Sequence, residues 1–313
     1  VGDAGRRIKH ELAYRTLRGF LAAARPFPLA ALRAGGAALG LAAFALSRRE
    51  RRRAHEHLLL AFPGRDEAWR DEVVTGCARS LGRLLGEVAW LWSASARDIL
   101  ARTELVGLDN LTGCLAPRRG AIFVTGHIGN WEWLGAAAGA AGVPMVAAAR
   151  ELDDSRVEEI AEHLRSRFGG GNVVRGDGAG QRLASALRHG RIVGLLIDQD
   201  IDAPGAFVEY FGRPAWTPTG AAVLALRLRA PIVTGFLTRL DDGRMRIVFD
   251  PPIEARRGDD LAADAARLTA LLTARIEAQV RAHPEQWVWM HRRWRRQPGP
   301  GDRVWTAADQ PAD

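Results

Sequence analysis

Between residues 120 and 250 the chain alternates short, uninterrupted apolar runs with segments whose apolar residues recur at helical spacing. AIFVT at 121–125, IVGLLI at 192–197 and IVF at 247–249 are bounded by glycine or charge, and PIVTGFLT at 231–238 lies between Ala230 and Arg239. Each is too short for a helix and too continuous for a half-exposed strand, so each predicts a strand buried on both faces. Helical patterns occupy 131–141, 154–168, 180–189 and 219–229, with longer ones at 65–92 and 260–282. Strand and helix in alternation argue an α/β fold, a sheet with helices on both faces. The chain shows no internal repeat and no low-complexity linker.

The N-terminal part has a different pattern. Residues 27–47 read FPLAALRAGGAALGLAAFALS, with Arg33 the single charge. Twenty residues of helix span about 30 Å, the thickness of a bilayer core. Arg48, Arg49, Arg51, Arg52 and Arg53 follow at once and would sit on the cytoplasmic side if the segment met a membrane. The alternative is a buried helix with a solvated, charged end. The expected division is therefore 1–53 as a helical membrane-anchor segment, 54–298 as a catalytic domain and 299–313 as a flexible polar tail.

Composition narrows the chemistry. Lys+Arg 44 against Asp+Glu 36 gives a net charge of +8, yet Lys9 is the one lysine, which excludes a Schiff-base or P-loop lysine. Two cysteines make neither a disulfide framework nor a zinc knuckle, and no metal site is expected. Basic charge interleaved with tryptophan also fits a nucleic-acid-binding protein, but nothing else in the chain supports that reading. No Gly-x-Ser-x-Gly elbow is present, so a serine hydrolase is excluded. The glycine-rich stretch at 169–180 lacks the preceding strand that a dinucleotide site requires and is expected to be a flexible loop.

The most informative window is GHIGNWE at 126–132, which follows a predicted strand and opens a predicted helix. His127 falls at the carboxyl end of the strand, where α/β folds place their ligands. Glu132, folded back from the first helical turn, would hold the other imidazole nitrogen and fix its tautomer. The alternative is a histidine at a helix start, with Glu132 favoured there by the helix dipole. Gly129 and Asn130 offer backbone N–H groups to an oxyanion.

GHIGNWE resembles the His-x4-Asp/Glu motif of glycerolipid-type acyltransferases, and in particular the late acyltransferases of bacterial lipid A biosynthesis. The resemblance extends through HLLLAFPG at 57–64, Ala149-Arg150, Arg165-Ser166-Arg167, Asp198-Gln199-Asp200, FVEYFGRPAWTPTG at 207–220 and EQWVWMHRRWRRQP at 285–298, in the family's order. His57 stands where the family usually has asparagine. The resemblance implies a mixed sheet flanked by helices, and an enzyme at the cytoplasmic face of the inner membrane. It implies acyl-carrier protein or acyl-CoA as donor, a lipid A precursor as acceptor, no cofactor and no covalent intermediate.

Carried over by residue, His127 is the general base and Glu132 its orienting partner, with Arg165, Arg167, Asp198, Arg150, Asn130 and Thr217 as substrate-binding candidates. An ion pair between Arg165 and Asp198, tying helix to sheet, is the competing role for those two. Thr217 and Pro218 read as the start of a helix whose N–H groups would receive an anion. Phe207, Tyr210, Phe211 and Trp216 either line an acyl channel or pack in the core. The Trp287–Arg295 cluster either faces a membrane or packs against the sheet. The same superfamily includes acyltransferases of phosphatidylinositol mannosides, which use acyl-CoA, and that acceptor is the second possibility.

Overall fold

The apolar runs become the centre of a seven-stranded sheet because both of their faces are covered. The structure, a computed structural model, describes residues 3–115, 119–143, 145–149, 154–174 and 176–310, the side chains of residues 3–9 excepted. Its helices are α1 (Asp3–Ala24), α2 (Leu29–Leu46), α3 (Arg48–Ala61), α4 (Glu67–Leu91), α5 (Ala96–Leu100), α6 (Leu108–Thr112), α7 (Trp131–Ala140), α8 (Ser155–Ser166), α9 (Ala179–Arg188), α10 (Gly220–Leu228) and α11 (Leu261–Ala282). Its strands are β1 (Thr103–Val106), β2 (Ile122–Thr125), β3 (Met145–Ala149), β4 (Gly171–Val174), β5 (Ile192–Leu196), β6 (Gly205–Tyr210), β7 (Arg213–Pro218), β8 (Ile232–Arg239), β9 (Met245–Phe249) and β10 (Val304–Trp305).

The main sheet runs β1-β9-β8-β2-β5-β3-β4, parallel throughout except where β9 returns antiparallel beside β8. Along β2 and β8 side chains alternate between two cores. Ile122, Val124, Ile232 and Phe236 join α9, α10 and α11 on one face, while Phe123, Val233 and Leu237 join α7 and Leu164 of α8 on the other. That double burial is why these strands lack the polar–apolar alternation of an exposed sheet. A second sheet, β10-β6-β7, closes the C-terminal part.

Three expectations change here. The glycine-rich stretch is not a loop, because Gly171–Val174 forms edge strand β4 beside β3. The tail after Pro298 is not loose through residue 310. Val304 and Trp305 pair with Phe207 and Val208, and Trp305 stacks under Arg303 at 3.6 Å. Thr217 does not cap a helix; it lies fully buried near the end of β7, and the following helix starts after Thr219.

The apolar segment is helix α2, and it packs along α4. Glycines on both helices allow the backbones to touch: a Cβ on Gly36 would lie 2.2 Å from the Gly82 carbonyl oxygen, and one on Gly86 2.2 Å from that of Leu32. Arg33 turns inward to the buried carboxylate of Glu87 at 2.8 Å. The outer face stays open, with Leu39 57% and Leu46 87% exposed.

Candidate active site

Register places the reactive groups. β2 and β5 are parallel neighbours with Thr125 opposite Leu196. Two residues past each lie His127 and Asp198, so the sheet delivers imidazole and carboxylate side by side at the carboxyl ends of adjacent strands. His127 Nδ1 meets Asp198 Oδ1 at 2.7 Å, and the His127 backbone N–H donates to Oδ2, also at 2.7 Å. Trp287 Nε1 donates to that same oxygen at 2.8 Å. Gly126 keeps the approach open, since a Cβ there would lie 3.1 Å from Asp198 Oδ2. Gly129 turns the chain at φ +63°, and a Cβ on it would sit 2.3 Å from the Leu237 carbonyl oxygen.

Burial alone would raise the Asp198 carboxyl. The charge of His127 and the hydrogen bonds from its ring, its backbone and Trp287 outweigh burial and hold Asp198 well below the usual carboxylate range. An ionised carboxylate only accepts, so Nδ1 carries a proton, and in the neutral ring Nε2 then presents a lone pair.

His127 lines a cavity of about 420 Å³. Its polar wall includes Glu132, Arg165, Gln199 and His291; its apolar wall includes Phe123, Leu134, Ala136, Met145, Ala147, Leu164 and Leu195. The lining thus combines titratable groups with apolar surface suited to hydrocarbon.

The expected orienting partner, Glu132, is not the residue hydrogen-bonded to His127. It sits in the first turn of α7 and takes the Arg165 guanidinium through Nε at 2.9 Å and Nη2 at 2.5 Å. Arg165 Nη1 continues to Asn172 at 3.0 Å. Burial would lower Arg165, but the Glu132 pair raises it overall. The competing Arg165–Asp198 ion pair is thereby replaced by Arg165–Glu132, because α8 lays Arg165 over α7 rather than over the end of β5.

The other candidates separate from the cavity wall. Arg167 ties off α4, donating to the carbonyls of Leu91 at 2.5 Å, Trp92 at 2.7 Å and Ala94 at 2.9 Å. Fully buried Asn130 caps α7 by accepting from the Trp133 backbone N–H and donates to Glu87 at 2.8 Å. Glu87 is itself clamped by Arg239. The Gly129 N–H is committed to the Gln286 carbonyl, so it is not an oxyanion donor here. Thr217 accepts from buried Arg293 at 2.6 Å. Arg150 lies outside the described residues.

Phe207, Tyr210, Phe211 and Trp216 pack on one another and on Trp287, Trp289 and Trp294 instead of lining the cavity. Trp287, Trp289, Arg293 and Trp294 are buried, so that half of the C-terminal cluster is core. His57 is buried against it, bonded through Nδ1 to the Trp289 carbonyl at 2.7 Å, and burial lowers its pKa.

Two roles are not apparent from the chain alone. The resemblance places Asp198 with substrate, although its position two residues past a strand end, matching that of His127, is a signal for pairing the two. His291 is hidden inside an aromatic–basic run that resembles a surface patch.

Residues 11–296 match the family model described as bacterial lipid A biosynthesis acyltransferase. The chain is 28% identical over 266 residues to the lipid A biosynthesis lauroyltransferase of Escherichia coli, covering 84% of this chain and 85% of that protein. It is 28% identical over 268 residues to the palmitoleoyltransferase of the same bacterium, covering 84% of each. It is also 28% identical over 232 residues to a phosphatidylinositol mannoside acyltransferase of Mycobacterium tuberculosis, covering 72% of this chain and 71% of that one.

Proposed function

The chain belongs to the bacterial lipid A biosynthesis acyltransferase family and is an acyltransferase, and we propose that it moves a fatty acyl chain from a thioester carrier, acyl-carrier protein or acyl-CoA, to a hydroxyl of a lipid A precursor. The observation that carries this reading is the His127–Asp198 pair, with His127 lining a cavity whose other lining is largely apolar. His127 Nε2 takes the proton of the attacking hydroxyl while Asp198 holds the ring and stabilises the imidazolium. The alkoxide oxygen bonds to the thioester carbon, the thiolate leaves, and His127 returns the proton to sulfur. No enzyme nucleophile takes part.

Arg165 and Glu132 line the same cavity as His127. The carboxylate fixes the guanidinium fork, which supports a role in receiving an anionic group of a substrate. The exposed face of α2 is proposed to rest in the bilayer interface, because Arg33 is committed to the protein and only one face of the helix remains apolar and open. The basic segment after it then faces the anionic cytoplasmic leaflet.

Radiolabelled transfer in detergent micelles tests this, with wild type and His127→Ala side by side. Acyl-carrier protein and acyl-CoA are each offered with a lipid A precursor and with a phosphatidylinositol mannoside. His127-dependent product on the lipid A precursor is the expected result. Product on the mannoside alone would transfer the same chemistry to the second acceptor, and undiminished turnover by the variant would remove His127 from the mechanism.

A further inference from the structure

The cavity contains a second imidazole. His291 lines it together with His127, on the C-terminal segment that also contributes Trp287 to Asp198. Its backbone is fixed at both ends of the residue, with N–H donating to the Val288 carbonyl at 3.2 Å and C=O accepting from Arg293 at 2.9 Å. Its Nδ1 is buried and has no hydrogen-bond partner among the described residues.

That orphaned nitrogen decides the tautomer. A buried N–H without an acceptor is rarer and costlier than a buried lone pair, so the proton belongs on Nε2. The ring is also neutral near pH 7: burial pushes it down to about 4, the charges of Arg293 and His127 add to this, and Asp198 and Asp200 oppose it. His291 is therefore a neutral N–H donor lining the cavity.

The reaction needs such a donor, and the three backbone N–H groups that begin at the base are committed elsewhere. In the loop between β2 and α7 the N–H of His127 is on Asp198, that of Ile128 on the Gly126 carbonyl and that of Gly129 on the Gln286 carbonyl. Glu132 and Asn172 take three of the five Arg165 N–H groups, and the rest of the fork is assigned above to an anionic group of the substrate.

We propose that His291 Nε2–H binds the thioester carbonyl oxygen and stabilises the oxyanion that forms as the acceptor hydroxyl adds. This rests on the acyl-transfer reading and completes it. As the new C–O bond forms, the carbonyl π pair moves onto the oxygen held by His291. Collapse restores the C=O, breaks the C–S bond and sends the thiolate out with the proton carried by His127. His291 keeps its own proton throughout and, being weakly basic, takes up no second one. A preorganised neutral donor beside the base is suited to this task.

The test measures kcat and KM for transfer from dodecanoyl-acyl-carrier protein to a lipid A precursor with wild type, His127→Ala, His291→Ala and His291→Gln. Thermal melting of each variant is followed in parallel. His291→Ala is expected to lose roughly 100- to 1,000-fold in kcat with KM within about threefold, the range for removing one oxyanion donor. His291→Gln, which restores an N–H, is expected to recover at least about tenfold of that loss, a rescue that a packing role does not give.

An alanine variant within threefold of wild type, a loss confined to KM, or glutamine no better than alanine would each overturn the proposal. If His127→Ala is inactive while His291→Ala is active, only this inference fails; if His127→Ala is active, the underlying reading fails with it. Nitrogen-15 spectra of the histidine rings give a readout independent of turnover and of variant folding. A proton on Nδ1, or an imidazolium at pH 7, would refute the assignment.

Discussion

Asp198→Asn removes one charge and almost no volume, and the geometry of its three hydrogen bonds sets the cost. Asp198 accepts three N–H groups: His127 Nδ1 on Oδ1, and the His127 backbone and Trp287 Nε1 on Oδ2. Asparagine offers one acceptor oxygen and one NH2 group. With the oxygen kept toward the backbone and Trp287, two donors stay satisfied and the NH2 faces Nδ1 across 2.7 Å. Two donors cannot share that distance, so the ring proton moves from Nδ1 to Nε2 and the base is protonated before the hydroxyl arrives. The opposite amide orientation sets NH2 against two N–H donors and is worse. Loss of the correct tautomer costs about 10⁴ in kcat in serine proteases, which is about 5.5 kcal/mol of barrier, and a similar loss is expected here. Initial rates of transfer at saturating donor and acceptor measure it, with thermal melting to confirm the fold. Glu132→Gln is the control, because it weakens the hold on Arg165 and leaves the base untouched. Losing one charge-assisted hydrogen bond costs roughly 10- to 100-fold, expected chiefly in KM. Asp198→Asn within tenfold of wild type, beside a Glu132→Gln that loses 10⁴ in kcat, would refute the pairing and return the orienting role to Glu132.

Burial and exposure give two more expected outcomes. His291 has a folded pKa of about 4 against about 6.5 unfolded, so between those values the unfolded chain binds the extra proton and stability falls as pH falls. The loss approaches about 3 kcal/mol at pH 4, so denaturation of wild type and His291→Gln should show a stability difference that shrinks from pH 7 to pH 4.5; parallel curves would contradict the neutral ring. On α2, Leu39→Glu with Leu46→Glu places charge on the exposed apolar face without entering the α4 contact. Sedimentation with anionic vesicles is expected to fall at least tenfold while turnover on a micellar substrate persists, and unchanged sedimentation would place the membrane contact elsewhere.

The chain makes legible whatever depends on neighbours along it. The runs at 121–125, 192–197 and 231–238 announce central strands because double burial leaves no polar alternation; β2 and β5 fall inside them and β8 runs one residue past. β4 and β10 do not announce themselves: Gly171–Val174 and Val304–Trp305 are edge strands, short, and held by one partner each. His127 is legible for the same local reason, as a histidine between glycines after a buried strand. Its partner is not, because Asp198 arrives through the β2–β5 register from 71 residues away. Spacing within a motif records which residues are kept together in sequence, and it does not record which side chains meet. Glu132 lies five positions from His127 and still points elsewhere, since the first turn of α7 aims it at Arg165 on α8.

The two carboxylates of the site thus have separate tasks. Asp198 faces the base and determines which nitrogen carries the proton; Glu132 faces the guanidinium and determines where its fork points. The pairs share no hydrogen bond. Losses in kcat from Asp198→Asn and in KM from Glu132→Gln should therefore combine nearly additively in the double variant, within about 0.5 kcal/mol. A strongly sub-additive double variant would mean that the acids act as one unit, and that the motif spacing reflects a shared proton path rather than two adjacent sites on one cavity wall.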